Sequence, residues 1–346
     1  MPELQVSAIV PARNEEANIA AAVESLAAQT LPLEIIVVND GSTDRTGEIL
    51  AALALRFPQL HVVETRELPP DWTGKNYAVA CGIEQAHAPW LLLTDADVRH
   101  QPHGVETGLG VARRTGAAMV SFSPDQELRT WWERATIPFV YCRLASEYPY
   151  EGVSNPEDPV AAANGQWLLV SRLAYNAVGG HAAVKNEVLE DVALARLLKR
   201  SGCRLHFDRG VGLARTRMYH RIEEMWQGWS KNLFLLFDRR KSAVVGALAG
   251  AALDSLAWFF ILVALWGMGE GWPVSQWILV PNLAIVAWRH LRYAQALRKN
   301  HYPLACLFYY TLGGLLFAGL MVDSSTKYLS GEPLKWKGRD YAVPTK

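Results

Sequence analysis

Residues 89–99 read Pro-Trp-Leu-Leu-Leu-Thr-Asp-Ala-Asp-Val-Arg. The apolar run from Trp90 to Leu93 has the length of a buried strand. It ends in two carboxylates one residue apart, Asp95 and Asp97. In an open α/β sheet, ligands bind where strands end at their carboxyl edge. Two carboxylates at such an edge repel each other unless a cation or a hydrogen-bonded ligand lies between them. Oxygen donors suit Mg²⁺ or Mn²⁺, ions that bind through one or two carboxylates plus substrate phosphates. An isolated Asp-x-Asp triplet is more often a solvated turn, so the weight falls on what surrounds this one.

Upstream, the pattern repeats. An apolar first strand, Gln5 to Val10, ends at Pro11 and is followed by Arg13, Asn14, Glu15 and Glu16. Asn14 is expected to cap a helix whose first turn holds the two glutamates, near the positive helix end. Leu33 to Val38 is a second buried strand, ending at Asp40. That carboxylate has the same kind of placement as Asp95, although an Asx-turn explains it equally well. A third strand, His61 to Glu64, leads through Gly74-Lys75 into a helix from about Asn76 to Ala86. Gly-Lys at a helix start suits a phosphate, though without the full P-loop pattern. The β-α-β-α-β-α-β order predicts a parallel, doubly wound sheet. No G-x-G-x-x-G follows the first strand, so a dinucleotide cofactor is not expected.

Downstream come a helix at Val105 to Arg114, a strand at Ala117 to Phe122, and an aromatic and basic stretch, Arg129 to Tyr148. The last suits either a membrane interface or a helix packed inside the domain. Glu190-Asp191 opens a helix from Val192 to Lys199, where the dipole favours ionised carboxylates. These acids either cap the helix or serve a cleft as a general base. Arg204 to Asp208 and Val211 to Thr216 read as strands. His220 to Phe237 reads as an amphipathic helix with Gln227 and Lys231 on its polar side.

The chain has 346 residues and equal numbers of basic and acidic side chains, 34 each, so no global basic field points to nucleic acid. Half the residues are hydrophobic, concentrated after Ser242. Four scattered cysteines lack metal-ligand spacing and, without an evident secretory signal, read as reduced thiols of a cytosolic domain. Residues 243–268, 273–288 and 303–322 are expected to form about three membrane segments, with Trp272, Trp277 and Trp288 as interfacial anchors. Asp254 in the first is expected to face protein or water. The predicted organisation is a catalytic domain over 1–238, a transmembrane region over 239–330 and a tail over 331–346. Three crossings place Lys335, Lys337 and Arg339 opposite the earlier basic clusters, against the positive-inside rule.

Taken together, Asp40, Asp95/Asp97, Glu190-Asp191 and Gln227 give the chain a resemblance to family 2 glycosyltransferases of the GT-A fold, running from about Val6 to Phe237. Ile-Val-Pro-Ala-Arg-Asn-Glu-Glu and Val-Val-Asn-Asp-Gly-Ser-Thr-Asp resemble the family's first nucleotide-binding block, Thr-Asp-Ala-Asp its metal motif, and Glu-Asp its catalytic motif. Where processive members carry Gln-x-x-Arg-Trp, this chain has Gln227-Gly-Trp-Ser-Lys231. That segment is similar to the lipid-modifying branch associated with carotenoids and hopanoids. The resemblance implies a GT-A sheet, mostly parallel with helices on both faces, followed by transmembrane helices. It also implies transfer of a sugar from a nucleotide-sugar, a UDP-sugar, to a lipid or isoprenoid acceptor with Mg²⁺ or Mn²⁺, on the cytoplasmic face of the inner membrane. Pro11, Arg13, Glu15, Asp40, Lys75, Asp95, Gln227 and Lys231 would then hold the nucleotide-sugar. Asp97 and Asp95 would ligate the metal, and Asp191 with Glu190 would form the catalytic pair. The alternatives are a polyprenyl-phosphate glycosyltransferase or polysaccharide synthase, a nucleotidyltransferase, and a non-catalytic membrane scaffold.

Overall fold

The computed structural model describes residues 4–273, 275–331, 334–336 and 339–341. The first half alternates as expected: β1 (Val6–Ala12), α1 (Ile19–Ala27), β2 (Leu33–Asn39), α2 (Thr46–Arg56), β3 (Leu60–Glu64), α3 (Gly74–Gln85) and β4 (Trp90–Leu93). Then come β5 (Val98–His100), α4 (Gly104–Thr115), β6 (Met119–Gln126), α5 (Trp131–Glu147), α6 (Tyr150–Ser154), β7 (Leu168–Ser171), α7 (Arg172–Ala177), a 3₁₀ turn (Gly180–Val184), α8 (Glu190–Arg200) and β8 (Leu205–Thr216). The two short strands expected near 204–216 are one strand, with a register irregularity opposite Pro124/Asp125.

Eight strands form one sheet in the order β3-β2-β1-β4-β7-β6-β8-β5. β1 to β4 are mutually parallel, whereas β7 runs antiparallel to both β4 and β6. β1, β2 and β4 are buried on both sides, which explains their continuous apolar runs. Val6, Ala8 and Val10 pack under α1, α2 and α4. Their neighbour Ile9, with Ile36 and Val38, packs under α3 and α8. This two-residue alternation puts helices on both faces. Direction matters for the site. Leu93, the last residue of β4, pairs with Leu168, the first of β7, so the chain entering β7 lies at the edge where β4 leaves.

The chain divides into two compact units: Met1–Glu127 with Tyr148–Met218, and Leu128–Glu147 with Tyr219–Lys346. The second therefore gathers α5 with the C-terminal helices, a division that differs from the expected boundary at residue 238. Its further elements are α9 (Ile222–Leu236), α10 (Lys241–Gly269), α11 (Ser275–Lys299), a 3₁₀ turn (Leu304–Tyr309), α12 (Tyr310–Ser330) and the antiparallel pair β9 (Leu334–Trp336) and β10 (Arg339–Tyr341). Lys337 and residues 342–346 of the expected tail lie outside the described residues.

Two described helices are long and apolar enough to cross a membrane, Lys241–Gly269 and Leu304–Ser330. The expected middle segment does not end at Trp288. It continues as α11 to Lys299, adding Arg289, His290, Arg292 and Arg298 to the same helix, and these charges lower its apolar character. Asp254 is buried, 3% exposed, and faces protein, where it is paired. Arg289 Nη2 donates to its Oδ2 at 2.8 Å and Nε donates to Oδ1. On α12, Asp323 Oδ2 accepts from Trp226 Nε1 at 2.9 Å, Ser230 Oγ at 2.5 Å and Lys327 Nζ at 2.8 Å, fastening α9 to α12.

Helix α3 lies close to the sheet because Gly82 has no side chain. A Cβ there would stand 2.7 Å from Ile9 Cγ2 and 2.9 Å from Val38 Cγ2. Overpacking of this kind costs about 1–3 kcal/mol, more than the few tenths gained from Val's better helix propensity. Gly82→Val is therefore expected to lower the thermal unfolding midpoint of the detergent-solubilised chain, and an unchanged or raised midpoint would contradict this packing.

Candidate active site

The carboxyl edge of β1, β2 and β4 collects most of the sequence-expected residues. Asp40 follows β2 and is buried; its Oδ1 accepts from Thr65 Oγ1 at 3.1 Å. Arg13 Nη1 donates to the Asp40 carbonyl at 2.6 Å. Asn14 does not cap α1, whose first residue is Ile19 and whose N-cap is Asn18. Instead Asn14 adopts φ of 54° and its Oδ1 accepts from Thr43 N at 2.8 Å. Asn14 N donates to Ser42 Oγ, Glu15 N to Thr46 Oγ1 and Glu16 N to Asp44 Oδ2. The loops after β1 and β2 are thus laced together. The local capping rule loses to these cross-loop bonds.

At the centre is Lys75, on the first turn of α3. Thr73 caps that helix by accepting from Asn76 N. Lys75 Nζ lies 2.8 Å from Asp95 Oδ1 and 2.8 Å from Glu190 Oε1. Asp191, the next residue on α8, accepts from Gly165 N at 2.7 Å through Oδ2 and from Val192 N at 2.8 Å through Oδ1. Gly165 precedes β7, which the antiparallel pairing brings to this edge. A Cβ on Gly165 would stand 3.3 Å from Asp191 Oδ2 and 3.4 Å from Lys75 Nζ, so the missing side chain leaves room for both. Pro11, Lys75, Asp95, Gly165, Glu190 and Asp191 line one cavity.

Three acids around one ammonium do not titrate alike. Burial disfavours the charged Lys75, but Asp95 and Glu190 outweigh it and raise its pKa. By area the Lys75 side chain is 40% exposed, so solvent screens these pairings in part. Burial also works against ionised Glu190, yet the adjacent Lys75 holds its pKa below the ordinary carboxylate range. Burial and the negative charge of Glu190 push Asp191 up to about 6, against the opposing pull of Lys75 and the two backbone N–H groups. Two neighbouring carboxyl groups are thereby separated, one firmly ionised and the other poised near neutrality.

Two further residues emerge only in three dimensions. His181, 2% exposed, lines the same cavity. Tyr175 Oη accepts from the His181 backbone N at 2.8 Å and lies 2.9 Å from Nδ1. Nδ1 is the acceptor this geometry offers the hydroxyl hydrogen, which assigns the ring proton to Nε2. Burial lowers the imidazole pKa to about 4, so the ring is neutral at pH 7. Gly180, at φ of 53°, permits the approach, since a Cβ there would meet the Tyr175 ring at 2.3 Å. Below the edge, Thr94 Oγ1 donates to the Gln166 carbonyl at 2.7 Å and lies 3.0 Å from His100 Nε2. That hydroxyl ties the end of β4 to the entry of β7.

Asp97 follows Ala96 in the turn closed by Val98 N donating to the Asp95 carbonyl at 3.2 Å. Among the described residues, no three or more His, Cys, Asp or Glu side chains gather into a ligand cluster. At this turn Asp95 Oδ1 lies against Lys75 Nζ, and two carboxylates of this kind would suit an ion that completes its shell with water and phosphate oxygens. Gln227 and Lys231 belong to α9 in the second unit, and the Lys231 carbonyl accepts from Tyr328 Oη at 2.7 Å.

The sequence pattern of Glycosyl transferase family 2 matches residues 7–170. A 4,4'-diaponeurosporenoate glycosyltransferase of Staphylococcus haemolyticus (strain JCSC1435) is 27% identical over 233 residues, covering 66% of this chain and 60% of that relative. The protein of the same name from Staphylococcus aureus (strain MRSA252) is 23% identical over 341 residues, 97% of this chain and 88% of the relative. Among solved structures, a mannosyltransferase from Pyrobaculum calidifontis in complex with GDP-Man and Mn²⁺ superposes with a TM-score of 0.55 at 17% identity, covering 94% of this chain and 87% of the other. At that identity the likeness is one of fold. The family pattern runs from β1 into β7 on a GT-A-like sheet whose acids converge at one edge, so over residues 7–170 the chain is similar to glycosyltransferase family 2.

Proposed function

We propose that this site transfers a sugar from a nucleotide-sugar, UDP-linked, to a lipid or isoprenoid acceptor in a single inverting displacement. One observation carries the reading: Asp191 is fixed by two backbone N–H groups and raised towards neutrality beside an ionised Glu190. Each of its oxygens keeps a free lone pair, so the carboxylate takes the acceptor hydroxyl proton as that oxygen bonds to the anomeric carbon. The bond from the anomeric carbon to the diphosphate breaks, and its electron pair leaves with the nucleotide. Lys75 holds Asp95 and Glu190 in place and puts positive charge at the carboxyl edge. Asp40 and Arg13, bonded to each other at the carboxyl edge of β1 and β2, are assigned to the base and ribose. Asp95 and Asp97 would hold Mg²⁺ or Mn²⁺, which offsets charge on the departing diphosphate when bound. On α9, Gln227 and Lys231 are assigned to the nucleotide-sugar as well.

The acceptor class is supported by the relatives, named for 4,4'-diaponeurosporenoate, and by the apolar second unit, which we assign to the inner membrane with the catalytic unit in the cytoplasm. That substrate name favours a second reading, in which the acceptor is a carboxylic acid. Such an acceptor is already ionised at neutral pH and needs no base, so the pH profile separates the two.

Asp191→Asn is expected to lower sugar transfer by two orders of magnitude or more while leaving nucleotide affinity, measured calorimetrically with UDP and GDP with and without Mn²⁺, within a few fold. Equal turnover by this variant would overturn the base assignment. A raised carboxyl pKa means the proton-accepting form is present above about pH 6 and lost below it. Transfer to a hydroxyl acceptor is therefore expected to fall as pH drops through 6. In Lys75→Met, with the ammonium gone, Asp191 faces uncompensated acids and the acid limb is expected to move to higher pH. A limb that stays put would show that Lys75 does not tune Asp191.

A further inference from the structure

The second unit carries a topological signal that the linear hydropathy pattern hides. Three successive apolar segments would leave the two ends of the set on opposite sides of a bilayer. The packing of α10, α11 and α12 runs otherwise. Just after α10, Trp272 folds back onto Trp266 with ring centroids 5.0 Å apart. The two helices form a hairpin, clasped by Arg289 on Asp254 and on the Gly250 carbonyl. α12 then starts midway along α10, where Trp258 Nε1 donates to Thr311 Oγ1 at 3.1 Å. A Cβ on Gly314 would lie 3.8 Å from Asp254 Oδ2. At its far end Tyr328 clusters with Phe234 and Val244, and Arg239 stacks on its ring at 5.5 Å. As α12 advances from Thr311 to Tyr328, its partners on and just before α10 recede from Trp258 to Arg239. The C-terminus of α12 is therefore beside the N-terminus of α10.

Resting on the membrane reading above, we infer that this unit enters the bilayer as the α10–α11 hairpin and that the start of α10, the end of α11 and the end of α12 all lie on the cytoplasmic face. α12 makes no separate net crossing. The occupant of the exposed surface is the acyl phase of the bilayer. Phe259, Leu262 and Trp266 on α10 and Trp277, Val280 and Leu283 on α11 are all exposed, with Trp277 75% exposed. The stretch of α11 from Ser275 to Trp288, before its charges begin, spans about 21 Å at the helical rise. That is short of the roughly 30 Å hydrocarbon core, the length range of re-entrant or buried segments. Charge gives the side. Arg239, Arg240, Lys241, Arg298, Lys299 and Lys327 fall at the end of the hairpin remote from the turn, and Glu270 at the turn. Basic residues mark the cytoplasmic face. The same arrangement removes the conflict that three crossings create with that rule.

The test uses the full chain in native membranes. Ser242→Cys, Arg298→Cys and Ser330→Cys each replace an exposed residue. After a carbonate wash, each is labelled with a membrane-impermeant maleimide in intact cells and in inverted vesicles, and labelled peptides are identified by mass, which keeps the four native cysteines in place. All three sites labelling only in inverted vesicles is the expected result. Labelling of Ser330→Cys or Arg298→Cys from the face opposite Ser242→Cys would overturn the inference while leaving membrane residence intact. Release of the protein by carbonate would overturn the membrane reading and the inference with it.

Discussion

Everything at the carboxyl edge depends on one ammonium group among three carboxylates. Lys75 bridges Asp95, delivered by β4, and Glu190, delivered by α8, across 2.8 Å on each side. Without it, three buried or half-buried acids would face one another in a medium that magnifies their repulsion. With it, one of the three negative charges is offset, and the excess that remains falls on Asp191. The arrangement therefore does two jobs with one side chain: it holds the sheet edge together and it determines which carboxyl group is available to a proton.

The parallel half of the fold was legible because its signals are local. Apolar strand runs ending in Asp40 and Asp95, and helices with period near 3.6, are fixed by residues a few positions apart. The direction of β7 was not, since nothing in Leu168–Ser171 says which way that strand runs. It follows from pairing with β4 and β6, and it is what carries Gly165 to Asp191. His181 was passed over for a similar reason. Its chemistry depends on Tyr175 six residues earlier and on the missing Cβ of Gly180, and only the fold brings that pair into a cavity with Lys75. Asn14 shows the opposite error, a valid local capping rule overridden by hydrogen bonds to residues nearly thirty positions away.

In the second unit the informative side chains are the polar ones. Leu, Val and Phe make α10 and α12 apolar but say little about which surfaces meet. Asp254 against Arg289, and Asp323 against Trp226 and Ser230, set the register of α10 on α11 and of α9 on α12. In an apolar setting a single mispaired charge is costly enough to exclude a slipped arrangement. The aromatic stretch of α5 was readable as a helix with an unusual surface, but its ring partners, Trp229, Tyr293, Tyr310 and Phe317 among them, come far later in the chain, beyond the reach of any window of local pattern.

The lacing of the loops after β1 and β2 has a consequence for kinetics. Arg13, Asn14, Glu15 and Glu16 are each bonded to residues 40–46, so the two loops form a single ordered surface before any ligand arrives. A molecule docking on that surface has no segment to immobilise, and association loses less entropy than it would against free loops. Its arrival is limited by diffusion and orientation rather than by waiting for the protein to close, and selectivity at this edge rests on shape already present when the encounter begins.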